Sequence, residues 1–455
     1  MNVRSRCILR QFRAWYEAMG TILVLAAILG GAGMAAAVEP SIAGPVSGAP
    51  RPADLASPLE LLVCPADGVN NLRNSEGSVV ERKDGSLLLA YTRFRGGSGS
   101  DFAPSDIVTR RSFDGGRTWS EPRVVAHGPN SGNVLSASLL RLGSGSIAIF
   151  YGRSTFQKGP GYAAGNMDDT SNVFNEQIMR TSADEGDTWS EERVLNLPGE
   201  TSQVLLNDCA KRLSTGRLIL PNYHGLSPYS PDPEFVQPLL SDDDGKTWFP
   251  SRFRIGLKAG ASAGQLSESS VAERADGSLL MLCRTATGFV YRTESRDGGR
   301  TWTRPESTGL SASQTPTSLV RVPHSQDLLL IWNQIGQEEW SLGLPRHRLT
   351  AAISSDGGRI WRHRRNLESM NDRNYIPAAE GGPWQSPGKL SQEERGRRLE
   401  KVGLRDTPFR QAEYASLIFV GDNAVITYDV TGHGLPRGNS LMLRILPLRW
   451  FYENE

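Results

Sequence analysis

Ser295-Arg-Asp297-Gly-Gly299-Arg-Thr301-Trp302 is one of five copies of a pattern, Ser-x-Asp-x-Gly-x-Thr-Trp, that runs through this chain. The other copies begin at Ser112, Ser182, Ser241 and Ser354, and the single lapse is Ile360 where the last should carry Thr. Ser and Asp side chains can bond nearby backbone N–H groups, Gly admits positive φ, and Trp can pack beneath the turn. Each copy therefore predicts a β-hairpin turn of the kind called an Asp box. The Asp-to-Asp spacings are 70, 59, 54 and 59 residues, close to one four-stranded propeller blade.

A second repeat runs in phase with the boxes. Asp84-Gly-Ser-Leu-Leu-Leu, Ser144-Gly-Ser-Ile-Ala-Ile, Thr215-Gly-Arg-Leu-Ile-Leu, Asp276-Gly-Ser-Leu-Leu-Met, Gln326-Asp-Leu-Leu-Leu-Ile and Gly421-Asp-Asn-Ala-Val-Ile each set a turn before an apolar run. Short apolar runs bounded by turn residues read as buried strands. Six units of strand, turn and strand follow, the first five ending in a box. The sixth lacks one and closes with Leu441–Trp450. The expected fold is all-β, a six-bladed β-propeller with five Asp-box hairpins. Two segments break the rhythm: residues 154–175, read as a rim loop, and 364–411, a surface insertion whose Ser391-Gln-Glu-Glu-Arg-Gly-Arg-Arg-Leu-Glu predicts a short charged helix.

Composition narrows the function. Fifty basic residues against 49 acidic ones leave no charge excess to hold a nucleic acid. Four cysteines and six histidines show no metal-ligand spacing, so neither a metal nor another cofactor is implied. Cys7 lies in the leader, and Cys64, Cys209 and Cys283 permit at most one intramolecular disulfide. Cys209 and Cys283 read as buried small hydrophobes.

Residues 1–37 read as a signal peptide. Arg4, Arg6, Arg10 and Arg13 precede an apolar stretch from Gly20 to Ala37, and Ala35-Ala36-Ala37 predicts cleavage after Ala37. The mature chain is then secreted or periplasmic, and touches a membrane only if this segment stays uncleaved. Residues 38–57 read as a Pro-, Ala- and Gly-rich linker, and 58–455 as the propeller.

The candidate chemistry lies between the boxes. One stretch reads Ser267-Glu268-Ser-Ser-Val-Ala-Glu273-Arg-Ala-Asp-Gly277-Ser-Leu-Leu-Met-Leu-Cys-Arg284. Another reads Tyr414-Ala-Ser416-Leu417, followed by Tyr428-Asp429. By residue type alone, Glu268 is a turn residue, Arg284 a strand end and Tyr414 a core or rim aromatic. Together with the boxes, however, these stretches resemble the exo-sialidases, six-bladed Asp-box propellers that remove terminal sialic acid, over roughly residues 73–450.

That resemblance implies a glycan substrate, with Tyr414 as nucleophile, Glu268 as its base and Arg284 as a ligand of the substrate carboxylate. A neutral phenol can attack an anionic sugar without charge repulsion when a carboxylate accepts its proton. It also implies an acid/base Asp on a first-blade loop, where Asp101 is favoured over Asp106. A further arginine is expected in Arg346-His-Arg348-Leu349, with Arg346 first and Arg348 next. The family's first-blade Phe-Arg-Ile-Pro is missing, and the aligned stretch is Arg73-Asn74-Ser75-Glu76-Gly77-Ser78. Either Arg73 takes the missing arginine's role with Glu76 orienting it, or Glu76 faces the pocket and repels an anionic sugar. The expected activity is a retaining exo-glycosidase acting on a terminal, acidic sugar. The alternatives are the same scaffold acting on another terminal sugar, or a non-catalytic glycan- or protein-binding propeller.

Overall fold

The apolar runs become the second strands of six four-stranded antiparallel sheets in a computed structural model. The structure describes residues 58–453 apart from 97–98, 130–131, 157–172, 199, 201–202, 225–234, 258–265 and 383–389. The leader, the linker and most of the 154–175 segment therefore lie outside the described residues.

In chain order, the innermost strands of the six sheets are Asn74–Glu81, Gly132–Arg141, Lys211–Arg212, Ser267–Glu273, Ser318–Arg321 and Arg410–Val420. The third sheet is short, and three small strands, Gln203–Val204, Tyr223–His224 and Phe235–Val236, form a sheet beside it. Each sheet touches the next through its inner strands or these small ones, and the sixth touches the first. Six apolar clusters fill the seams. Leu88, Ala90 and Ile107 of the first sheet, for example, pack against Leu139, Ile147 and Tyr151 of the second. The seam between fifth and sixth joins Leu329 and Ile331 to Leu417, Ile426 and Tyr428.

The boxes join third strands to fourth strands. In the first, Asp114 Oδ1 accepts from Ser112 Oγ (2.9 Å) and Thr118 N (2.9 Å), and Gly116 N donates to Ser112 Oγ at 2.7 Å. Trp119 Nε1 closes the turn onto Gly116 O at 2.9 Å. The box glycine sits at positive φ and presses on the preceding sheet. A Cβ on Gly186 would lie 2.7 Å from Leu88, and one on Gly245 2.8 Å from Met179. Each box thus seats one sheet on its neighbour. In the fifth, Ile360 offers only its N–H to Asp356, at 2.9 Å, and its side chain is exposed.

The sixth sheet closes in a way that Leu441–Trp450 alone did not predict. Its third strand is Ser440–Pro447, and its outermost strand is Leu59–Cys64 from the start of the described chain, with Leu61 opposite Leu443. The expected charged helix spans Gln392–Lys401, with Ser391 Oγ accepting from Glu394 N at 3.1 Å. Leu342, Leu344, Met370, Val402 and Leu404 form a small core beneath it. Cys64, Cys209 and Cys283 are all free and buried, and burial pushes the Cys209 and Cys283 thiols up to about 12.

Candidate functional site

Four inner strands carry a bulge near their first residues, the register slipping between Ser75 and Ser78, Leu135 and Ser138, Ser267 and Ser269, and Glu413 and Ser416. Glu76, Ser136, Glu268 and Tyr414 are each the first residue caught in one of these bulges. An extra residue bends the strand and re-aims a side chain that regular alternation would direct elsewhere. Glu76 (φ 59°), Ser136 (φ 62°) and Tyr414 (φ 54°) adopt left-handed backbone, as does Asp208 (φ 51°) of the third repeat. For a bulky residue such as Tyr414 this costs on the order of 1–3 kcal/mol. All four bulges lie at the end of the sheets opposite the boxes, since each inner strand starts where the second strand ends.

Tyr414 and Glu268 meet across the gap between the sixth and fourth sheets. Tyr414 Oη donates to Glu268 Oε1 at 3.1 Å. Arg284 Nη1 donates to Glu268 Oε2 and also reaches Tyr414 Oη at 3.4 Å. The Arg346 guanidinium lies 5.8 Å from the centre of the Tyr414 ring. Burial and the Glu268 charge raise the Tyr414 pKa, and Arg284 with Arg346 offsets this only partly. The resting phenol is therefore neutral, with a carboxylate already on its proton.

Arg73 stands on the first sheet with all three nitrogens engaged. Nε donates to Ser75 Oγ at 3.0 Å, Nη2 to Glu76 Oε1 at 3.1 Å, and Nη1 to Asp101 Oδ1. The other oxygen of Glu76 accepts from Ser136 N (2.8 Å), Ser136 Oγ (3.0 Å) and Thr92 Oγ1 (3.3 Å). Desolvation raises the Glu76 pKa, and Arg73 counters it. Desolvation also works against the Asp101 carboxylate, but Arg73, Arg346 and Arg284 outweigh it and hold that carboxyl below its ordinary range. Asp106, the competitor of Asp101, is buried with Arg93 and Arg95 at 3.2 Å and His127 at 3.0 Å. That carboxylate is walled into the first sheet.

Arg346 and Arg348 separate just as cleanly. Arg346 Nη1 donates to Glu413, beside Tyr414. Arg348 is wholly buried and forks onto Glu339 at 2.7 and 3.0 Å, with further bonds to Asn371 (2.6 Å) and Arg373 O (2.8 Å). It anchors the Gln337–Ser341 helix to the fifth sheet. Of the sequence-predicted residues, Tyr414, Glu268 and Arg284 share one hydrogen-bonded cluster and Arg73, Glu76 and Asp101 another. Arg346 lies over the first cluster, and its charge acts on the second.

Four further participants are not named as site residues by the sequence, although Asp429 stands in the stretch Tyr428-Asp429. Glu413 and Asp429 lie directly opposite each other in the sixth sheet. Asp429 accepts from Glu76 N at 2.9 Å, and burial drives its pKa well up. Ser136 belongs to an ordinary apolar strand until its bulge is seen. Asp208 accepts from Ser78 Oγ at 2.9 Å and Leu417 N at 3.2 Å, stapling the third repeat to the first and sixth sheets.

Comparison with known proteins agrees with this architecture. The family model described as a BNR repeat-like domain matches residues 85–426. A sialidase of Micromonospora viridifaciens is 29% identical over 279 residues, covering 56% of this chain and 40% of that protein. An anhydrosialidase of Macrobdella decora is 32% identical over 191 residues, covering 40% of this chain and 22% of that protein. The matched regions thus span less than half the length of these relatives. Among solved structures, a Trypanosoma rangeli sialidase in complex with sialic acid superposes with a TM-score of 0.59 at 15% identity, covering 88% of this chain and 60% of that one.

Proposed function

This chain belongs to the sialidase superfamily of BNR-repeat propellers, and from that premise we propose that it is a retaining exo-glycosidase removing a terminal acidic sugar of sialic-acid type. The observation that carries the reading is the contact of Tyr414 Oη with Glu268 at 3.1 Å, with Arg284 bound to both. The closed ring of sheet contacts supports a six-bladed propeller whose channel end holds this cluster.

In the proposed reaction Tyr414 Oη attacks the anomeric carbon, and its proton passes to Glu268. The glycosidic C–O bond breaks, and Asp101 gives its proton to the departing oxygen. Water then cleaves the glycosyl-tyrosine bond, Asp101 taking a proton from the water and Glu268 returning its proton to the departing Tyr414 oxygen. Tyr in place of a carboxylate nucleophile is the known exception among retaining glycosidases, and sialidases supply it. It suits an anomeric centre that already bears a negative charge. Arg73, Arg284 and Arg346 supply the cations for that charge, since a guanidinium fork matches a carboxylate. The presence of Arg73 beside Asp101 supports it as the replacement for the missing Phe-Arg-Ile-Pro arginine, oriented by Glu76.

The test is a turnover screen on aryl α-sialosides and neutral aryl glycosides, with the first-formed anomer read by NMR. The expected result is release from the sialoside with the α-anomer appearing first. Turnover of neutral glycosides alone would move the scaffold to another sugar. Glycan binding without any turnover would make it a lectin-like propeller.

A further inference from the structure

The three bonds of Arg73 are not equivalent. Ser75 and Glu76 are buried, and Glu76 is locked by Ser136 and Thr92, so neither can leave the guanidinium. Asp101 sits on the loop between Phe94 and Ser105, and its side chain is 72% exposed. The position on Arg73 that is held by an exposed partner, and that a ligand entering the site can claim by displacement, is therefore the one Asp101 occupies. The acid/base residue rests in the place of the substrate's carboxylate.

This arrangement creates a difficulty for the chemistry and also its solution. An acid must carry a proton at the moment the glycosidic bond breaks, yet Arg73 keeps Asp101 ionised in the free protein. We propose that a carboxylate-bearing sugar takes Arg73 Nη1 from Asp101, and that the released Asp101 then takes up a proton from solvent, so that substrate binding itself arms the acid. This rests on the acidic-sugar reading above. One proton is gained by Asp101 on binding and passes to the leaving oxygen in the next step. A sugar without a carboxylate leaves the Arg73–Asp101 pair closed and the acid unarmed, so Arg73 selects for charge in the catalytic step as well as in binding.

The charged groups acting on Asp101 are Arg73, Arg346 and Arg284, with Glu76 on the far side of Arg73. Ligand binding places a negative charge among them. The sign follows: the arginines hold the free Asp101 pKa down, a ligand carboxylate neutralises them, and the pKa rises. Binding then consumes protons, and affinity falls as pH rises between the two values.

The test is calorimetry with 2-deoxy-2,3-dehydro-N-acetylneuraminic acid, a non-hydrolysable carboxylate-bearing sugar, in buffers of different ionisation enthalpy. The full chain is expected to take up ~0.5 proton or more per ligand near pH 5. Asp101→Asn should bind the same ligand without uptake, and about tenfold more tightly at pH 7, since nothing has to be displaced. The methyl ester of the ligand should show no uptake with either protein. Binding to the wild type without proton uptake, or uptake that survives in Asp101→Asn, would overturn the arming step and leave the glycosidase reading standing. Failure of the acid to bind at all would overturn the acidic-sugar reading and this proposal with it.

Discussion

Tyr414→Phe removes one oxygen atom and separates catalysis from stability. Two bonds disappear: the 3.1 Å contact with Glu268 and the 3.4 Å contact with Arg284, the latter at the limit of useful geometry. One ordinary hydrogen bond contributes about 0.5–1.5 kcal/mol, and the ring remains to pack against Arg346 at 5.8 Å. The fold should therefore lose about 1 kcal/mol, a fall in Tm of less than ~4 °C. The chemical loss is far larger. Without the phenol no glycosyl-enzyme forms, and water must attack directly, aided only by the arginines and Asp101. A fall in kcat of about 10³-fold or more is expected, which is ~4 kcal/mol at 1.36 kcal/mol per tenfold. The assay pairs kcat and KM on a fluorogenic α-sialoside with a thermal melt of the same preparation. A fluorinated sialosyl fluoride should add its mass to the peptide holding Tyr414 in the wild type and to no peptide in the variant. A variant keeping more than about a tenth of wild-type kcat, or a label on another residue, would refute the nucleophile assignment.

Two further expectations test residues that belong to the frame. Arg348→Met strands the buried Glu339 carboxylate, whose fork partner is lost, so stability should fall by about 3–5 kcal/mol in denaturant melts. Activity per folded molecule should stay within about twofold, because Arg346 is the arginine beside Tyr414; a selective loss of kcat would reverse that division. Ile360→Thr should restore the missing hydroxyl contact of the fifth box, which in the first box joins Thr118 Oγ1 to Asp114 at 2.5 Å. The gain expected in a thermal or urea melt is small, about 0.5 kcal/mol, because the site is exposed; a loss would mean that Ile360 is held by packing.

Much of the frame was readable because it is local. A box is made and satisfied within eight residues, and Ser391 caps its own helix. The spacing of the boxes then counts five of the sheets, and the matching turns count the sixth. The site was readable only in part. Glu268, Arg284 and Tyr414 could be named from their stretches, but no residue preference announces a bulge. Positive φ at Glu76 and Tyr414 runs against their residue types. It is imposed by the packing of neighbouring sheets, which a single stretch does not contain. For the same reason Glu413 was invisible: regular alternation would set it on the opposite face from Tyr414, and the bulge cancels that rule. Arg73 lies between these cases: it stands two residues before Ser75, an even offset that sets both on one face of an extended strand, and a 3.0 Å bond joins them.

The pairing of Leu59–Cys64 with Ser440–Pro447 has a consequence for how the chain is made. Among the described strands, the outermost strand of the last sheet is the first to leave a ribosome and its partner is the last. Throughout synthesis that segment is an unpaired edge with Leu61, Leu62 and Val63 available to any other nascent chain. Its sequence separation of nearly the whole domain also makes it a slow contact to form. This pairing is therefore expected to form as a late event, and substitutions in Leu59–Cys64 to change yield and refolding rate more than they change the finished molecule's catalytic constants.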